Sequence, residues 1–189
     1  MPAEPAYVPT MGVNVMTAVE LLNMSIPDKR VELVRGVLIV REPAGYLHGD
    51  VTMRLSARLS SYVAGRGLGR VLAAETGFKL QSNPDTVRAP DIAFLSTERI
   101  PEPRPSGFLT LGPDLVVEVL SPHDRPGEIL AKIGDWLEGG VRLVWVVDPE
   151  RGRARIYRRD GSEAAIGEND SLDGEDVVPG FTCRVAEVL

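Results

Sequence analysis

Asp114-Leu115-Val116-Val117-Glu118-Val119-Leu120-Ser121 sets one carboxylate inside an apolar run with the length and composition of a buried strand. An unpaired carboxylate costs several kcal/mol to bury, a large part of a domain's whole stability, so such a group is held by a cation, a metal or a proton. Glu118 therefore calls for a partner. Upstream, Arg88-Ala89-Pro90-Asp91-Ile92-Ala93-Phe94-Leu95 repeats the theme, with Asp91 at the mouth of a second apolar strand. Two strands carrying one acid each can bring both acids to one metal ion.

A chain of 189 residues, 43% hydrophobic and 25% charged, has enough apolar material for one domain with its own core. The expected organisation is a flexible, Pro-rich segment over residues 1–13 and a single domain over residues 14–189. No stretch approaches the roughly 18 apolar residues of a membrane helix, and Met1-Pro2-Ala3-Glu4-Pro5 lacks the basic and apolar regions of a secretory signal. A soluble, cytoplasmic protein with no membrane partner is expected. The lone Cys183 cannot form an internal disulfide and reads as a packing residue. The net charge of −6 argues against a surface built for broad phosphate binding. Only three of the 21 basic residues are lysines, Lys29, Lys79 and Lys132, which singles each of them out.

Thr17-Ala18-Val19-Glu20 has the spacing of a capping box ahead of a short helix. Val31-Glu32-Leu33-Val34, Arg35-Gly36 and Val37-Leu38-Ile39-Val40 predict an N-terminal β-hairpin. Residues 50–64 predict a long helix capped by Asp50, with Val51, Leu55, Leu59 and Tyr62 on its buried stripe. Gly65-Arg66-Gly67-Leu68-Gly69 has the glycine content of a phosphate-cradling loop, but it follows a helix and precedes a strand, the reverse of what such a loop requires. Helix termination is the better reading. Strands are expected at residues 71–74 and 78–80, a surface loop at 98–112, and a second helix at 126–137 that buries Ile129, Ile133 and Trp136. Strands at 143–147 and 153–157 follow. A helix between the Glu118 strand and the next predicts a parallel pair, the hairpins predict antiparallel neighbours, and the sheet is expected to be mixed.

Asp91 and Glu118 are candidate ligands for a hard cation, since magnesium prefers carboxylate oxygen and keeps waters for substrate and nucleophile. Lys132, on the edge of the second helix's stripe, could add positive charge. Two upstream residues could join them, each with a plain structural alternative. Glu32 fits an exposed hairpin face as well as a site, and His48 fits the capping region of the long helix. Other groupings point away from chemistry. Ser121, His123 and Asp124 crowd one turn and lack a nucleophile elbow, and the acids from Glu168 to Asp176 lack calcium-loop spacing. Trp136 and Trp145 lie in apolar periodic runs that favour core packing over base stacking.

Taken in order, the blocks containing Glu32, His48-Gly49-Asp50, Pro90-Asp91-Ile92-Ala93-Phe94, Leu115 to Ser121, Lys132, Val144-Trp145-Val146-Val147-Asp148-Pro149 and Pro179-Gly180-Phe181 resemble the Uma family of restriction endonucleases. The resemblance covers roughly residues 17–189. It implies an α/β (α+β) fold of the PD-(D/E)XK restriction-endonuclease-like type, a central mixed sheet flanked by helices, with a magnesium-dependent phosphodiesterase site. It makes Pro90 and Asp91 the first element, Glu118 the second acid and Glu32 the acid from the N-terminal part. The usual lysine two positions after the second acid is Leu120 here, and the resemblance assigns its part to Lys132. The implied metal ligands are Asp91, Glu118 and Glu32, with Mg2+ as cofactor and Mn2+ as substitute, and His48 contacts phosphate or a neighbouring group. The implied activity is metal-dependent endonucleolytic hydrolysis of phosphodiester bonds, with DNA as partner and a homodimer left open. The alternative is a catalytically weak or inactive nuclease-fold module that binds nucleic acid or protein, which the acidic net charge favours.

Overall fold

The capping box forms as its spacing predicts. In α1 (Ala18–Leu22) the Thr17 hydroxyl accepts from the Glu20 amide while the Glu20 carboxylate accepts from the Thr17 amide. The structure is a computed structural model and describes residues 15–189; the expected flexible segment, residues 1–13, lies outside the described residues. The predicted hairpin follows as β1 (Arg30–Val34) and β2 (Val37–Arg41). Its two connecting residues, Arg35 and Gly36, have φ of 48° and 77°, the pair of left-handed conformations whose twist matches the strands.

α2 (Tyr46–Arg66) starts earlier than the sequence predicts. Gly45 stands at its N-cap, so Asp50 does not cap the helix but lies inside it, ion-paired with Arg54 at 3.0 Å, and His48 is drawn into the first turn. The buried stripe is Val51, Leu55, Leu59 and Val63, while Tyr62 sits at the edge and donates its hydroxyl to the Pro179 carbonyl. Termination falls at Gly67 in the left-handed conformation.

Next come β3 (Gly69–Leu72), β4 (Phe78–Gln81), β5 (Thr86–Arg88), β6 (Ile92–Ser96), β7 (Leu115–Val119), α3 (Pro126–Glu138), β8 (Leu143–Asp148), β9 (Arg153–Arg158), β10 (Glu163–Gly167), β11 (Ser171–Asp173) and β12 (Thr182–Arg184). β3 is shifted toward the N-terminus relative to the expected strand because Gly69 has no side chain to strike the Leu95 carbonyl across the β3–β6 pair. β5, β11 and β12 have three residues each, too few for alternation to be visible in sequence.

Six strands form the central mixed sheet in the order β10-β9-β8-β7-β6-β3, with β7 and β8 parallel and the other pairs antiparallel. As predicted, α3 is the connection between the parallel pair. A four-stranded antiparallel sheet, β2-β1-β5-β4, stands beside it, and β11 and β12 form a ribbon. α2 covers one face of the central sheet with the stripe above, against Leu115, Val117, Val119 and Trp145; α3 covers the other with Ile133 and Trp136, against Ala93, Val116 and Val144. Side chains alternate across a strand, so Glu118 shares the α3 face with Val116. Among the described residues no helix is long and apolar enough to cross a membrane.

Candidate active site

The segment from Arg88 to Asp91 passes from one sheet to the other, since Arg88 ends β5 and Asp91 stands immediately before β6. At this seam Glu32 from β1, Asp91, Glu118 from β7, His48 from the first turn of α2 and Lys132 from α3 all line one cavity of about 270 Å³. The five residues singled out in the sequence therefore come together. Glu32, Asp91 and Glu118 are 5%, 6% and 5% exposed, so each needs partners inside the protein.

Asp91 has three. Its Oδ2 accepts from the Val119 amide at 2.8 Å and lies 3.1 Å from His48 Nε2, and its Oδ1 lies 3.5 Å from Arg30 Nη1. Burial pushes its carboxyl up, but the His48 hydrogen bond and charge, Lys132 and the Val119 amide together hold it below the ordinary range.

Glu118 is gripped from α3 by two side chains one helical turn apart. Trp136 Nε1 donates to Oε1 at 2.7 Å and Lys132 Nζ donates to Oε2 at 2.8 Å. Burial nevertheless raises its carboxyl to about 7, with Asp91 and Glu32 adding repulsion that the attraction of Lys132 only partly offsets. Lys132 also lies 3.2 Å from Glu32 Oε1 and donates to the Ala89 carbonyl at 3.2 Å. The ammonium thus has two hydrogen-bond acceptors and a second carboxylate beside it, and although burial lowers its pKa, the charges of Glu118, Glu32 and Asp91 raise it more. The ammonium stays protonated.

Glu32 is not on an exposed hairpin face. Its Oε1 accepts from the Ala89 amide at 2.9 Å and its Oε2 from Arg88 Nη1 at 2.9 Å. Against the pull of burial, Lys132 and Arg88 hold its carboxyl low. Behind it, Arg88 donates from Nε and Nη2 to Asp135 Oδ2 at 2.9 and 2.6 Å. Arg88, Asp135 and the indole of Trp136 are the parts that the sequence patterns did not single out. A visible signal existed for Asp135, a charge between the buried positions Ile133 and Trp136.

The remaining groupings are structural. Asp124 Oδ2 accepts from the Ser121 amide within a turn, and in the acidic segment Asp170 and Asp173 accept from the amides of Gly167 and Glu175. Cys183 is buried, and burial pushes its thiol up. Trp136 and Trp145 are fully buried, as core packing predicts.

The donor set suits a hard cation. Asp91 and Glu118 offer carboxylate oxygens, and Glu118, pushed up by burial and by the neighbouring Asp91 and Glu32 carboxylates, would gain from a further cation. Among the described residues no three or more His, Cys, Asp or Glu donors gather so as to hold a metal ion together. Two carboxylates leave most of the coordination shell to water and substrate, which is the usual manner of magnesium.

A family model, Uma2, described as "Putative restriction endonuclease", matches residues 18–186. A crystal structure of a protein from Anabaena variabilis ATCC 29413, described as "a putative nuclease belonging to DUF820", superposes with a TM-score of 0.79 at 20% identity, covering 92% of this chain and 97% of that one. At that identity the likeness speaks for the fold. No curated protein matches the chain.

Proposed function

The chain belongs to the Uma2 family, and from that premise we propose that it is a metal-dependent endonuclease hydrolysing phosphodiester bonds in DNA. The observation that carries the proposal is the Lys132 ammonium shared between Glu118 and Glu32 beside Asp91 in one cavity.

Asp91 and Glu118 would hold Mg2+, or Mn2+ in its place; when bound, the ion polarises phosphoryl oxygens and acidifies a water. Asp91 is kept ionised and oriented by His48 and the Val119 amide. Lys132 acts as a fixed positive charge near the phosphorus, where negative charge builds on the oxygens as water attacks and the ester oxygen leaves. It is not a base, because it keeps its proton. Glu32, 3.2 Å from the Lys132 ammonium, anchors that residue rather than serving as a third ligand, since no three such donors gather among the described residues.

Calorimetry with magnesium and manganese, paired with cleavage of DNA and RNA substrates, tests this. Wild type should bind metal and cut DNA, and Asp91→Ala should do neither. Lys132→Ala should keep the metal and lose cleavage by about a hundredfold or more. Absence of metal binding by the wild type would sink the proposal. Metal binding without cleavage of any substrate would favour the non-catalytic module, the reading supported by the net charge of −6.

A further inference from the structure

The hairpin register sets Arg30 directly opposite Arg41. Directly paired residues of an antiparallel ladder share a face, and like charges there repel, so the arrangement calls for an anion between or beside them. Both side chains line the cavity that holds Asp91, Glu118 and Lys132.

Neither guanidinium is well matched by the protein. Arg30 reaches Asp91 only at 3.5 Å, and its Nε is buried with no hydrogen-bond partner among the described residues. Arg41 reaches Glu128 at 3.4 Å, and Glu128 is itself 3.7 Å from Arg125. These contacts are long for charge-assisted hydrogen bonds and leave most donors of each planar fork unused. Lys29, next in the chain, lines the same cavity and is paired with Glu42. The strand end thus presents basic side chains on the wall of an otherwise acidic pocket, in a protein of net negative charge. A bidentate fork fits phosphate oxygens.

We propose that Arg30 and Arg41 form a phosphate clamp on the DNA backbone, gripping a phosphate next to the bond to be cut. This rests on the nuclease reading. It adds a substrate contact from β1 and β2 and assigns the hairpin a binding role.

The test is fluorescence anisotropy of a short labelled DNA duplex, with calcium replacing magnesium, over a series of salt concentrations. Arg30→Met and Arg41→Met should each weaken binding about tenfold and reduce the slope of log affinity against log salt by about one. Arg41→Lys should restore the slope while recovering only part of the affinity, since an ammonium supplies charge without the fork. Inorganic phosphate should compete better against wild type than against the double variant. Arg41 is on the edge strand β2, so Arg41→Met gives a clear answer even if Arg30→Met fails to fold. If both variants keep the wild-type affinity and slope while wild-type DNA is still cut, the clamp is wrong and the nuclease reading stands. If the wild type binds metal but no DNA, both fall.

Discussion

Glu118 carries a marked electrostatic conflict, being buried beside Asp91 and Glu32 with Lys132 as its paired cation. Its folded-state pKa of about 7 exceeds the ordinary 4.5, so between those values the unfolded chain has released a proton that the folded chain keeps. Stability contributed by this group is therefore present at acid pH and lost as pH rises through about 7, a change on the order of 3 kcal/mol. Asp91 and Glu32, held low, act oppositely and lose their contribution only on stronger acidification. Urea denaturation of the metal-free protein across pH 4.5 to 7 should show this decline in the wild type and a flatter profile in Glu118→Gln. Equal slopes would mean that the conflict is relieved elsewhere. Glu118 was legible in the sequence because a charge interrupts an apolar run, and Lys132 because it stands on the edge of the second helix's stripe while Leu120 takes the usual lysine position. Arg88 was not legible, since an arginine at a strand end looks like any solvated terminus until Asp135, 47 positions away, is folded against it.

α3 shows how one helical turn can dock an entire site. Lys132 reaches Glu118 and Glu32, Asp135 reaches Arg88, and Trp136 returns to Glu118, so three buried side chains, one each from β1, β5 and β7, depend on the registration of α3. Removing one partner of a buried pair leaves the other charge uncompensated. Asp135→Ala should accordingly destabilise the protein by about 3–5 kcal/mol in chemical denaturation, and Asp135→Asn, which keeps an acceptor for Arg88, should cost clearly less. An Asp135→Asn variant no more stable than Asp135→Ala would contradict the loss of an acceptor for Arg88 as the cause. The helix itself was legible, from Pro126 at its start to the glycines at its end. Its polar buried contacts were not, because periodicity reports which positions face inward and not what they meet there. The start of α2 was misjudged for a related reason. Asp50 is a good capping residue by type, but Gly45 takes the N-cap, and the helix gains its first turn from residues with no apolar rhythm.

At the scale of the whole molecule, the site lies on the seam between the six-stranded and four-stranded sheets rather than inside either. The central sheet was legible from its long apolar strands and its single crossover helix. The second sheet was only half legible, because β5 is three residues long and its pairing to β1 rests on one register position, Leu33 against Val87. The two indoles of the chain lie on opposite sides of the central sheet, Trp145 with the α2 core and Trp136 with the α3 core. Trp136 donates to Glu118, whereas Trp145 Nε1 is buried and has no partner among the described residues. The protein therefore carries a resident spectroscopic gauge and its own internal reference. In a proton–nitrogen correlation spectrum the Trp136 indole signal should move on magnesium titration and in Glu118→Gln, while the Trp145 signal holds still; joint movement of both would instead report a change of the sheet as a whole.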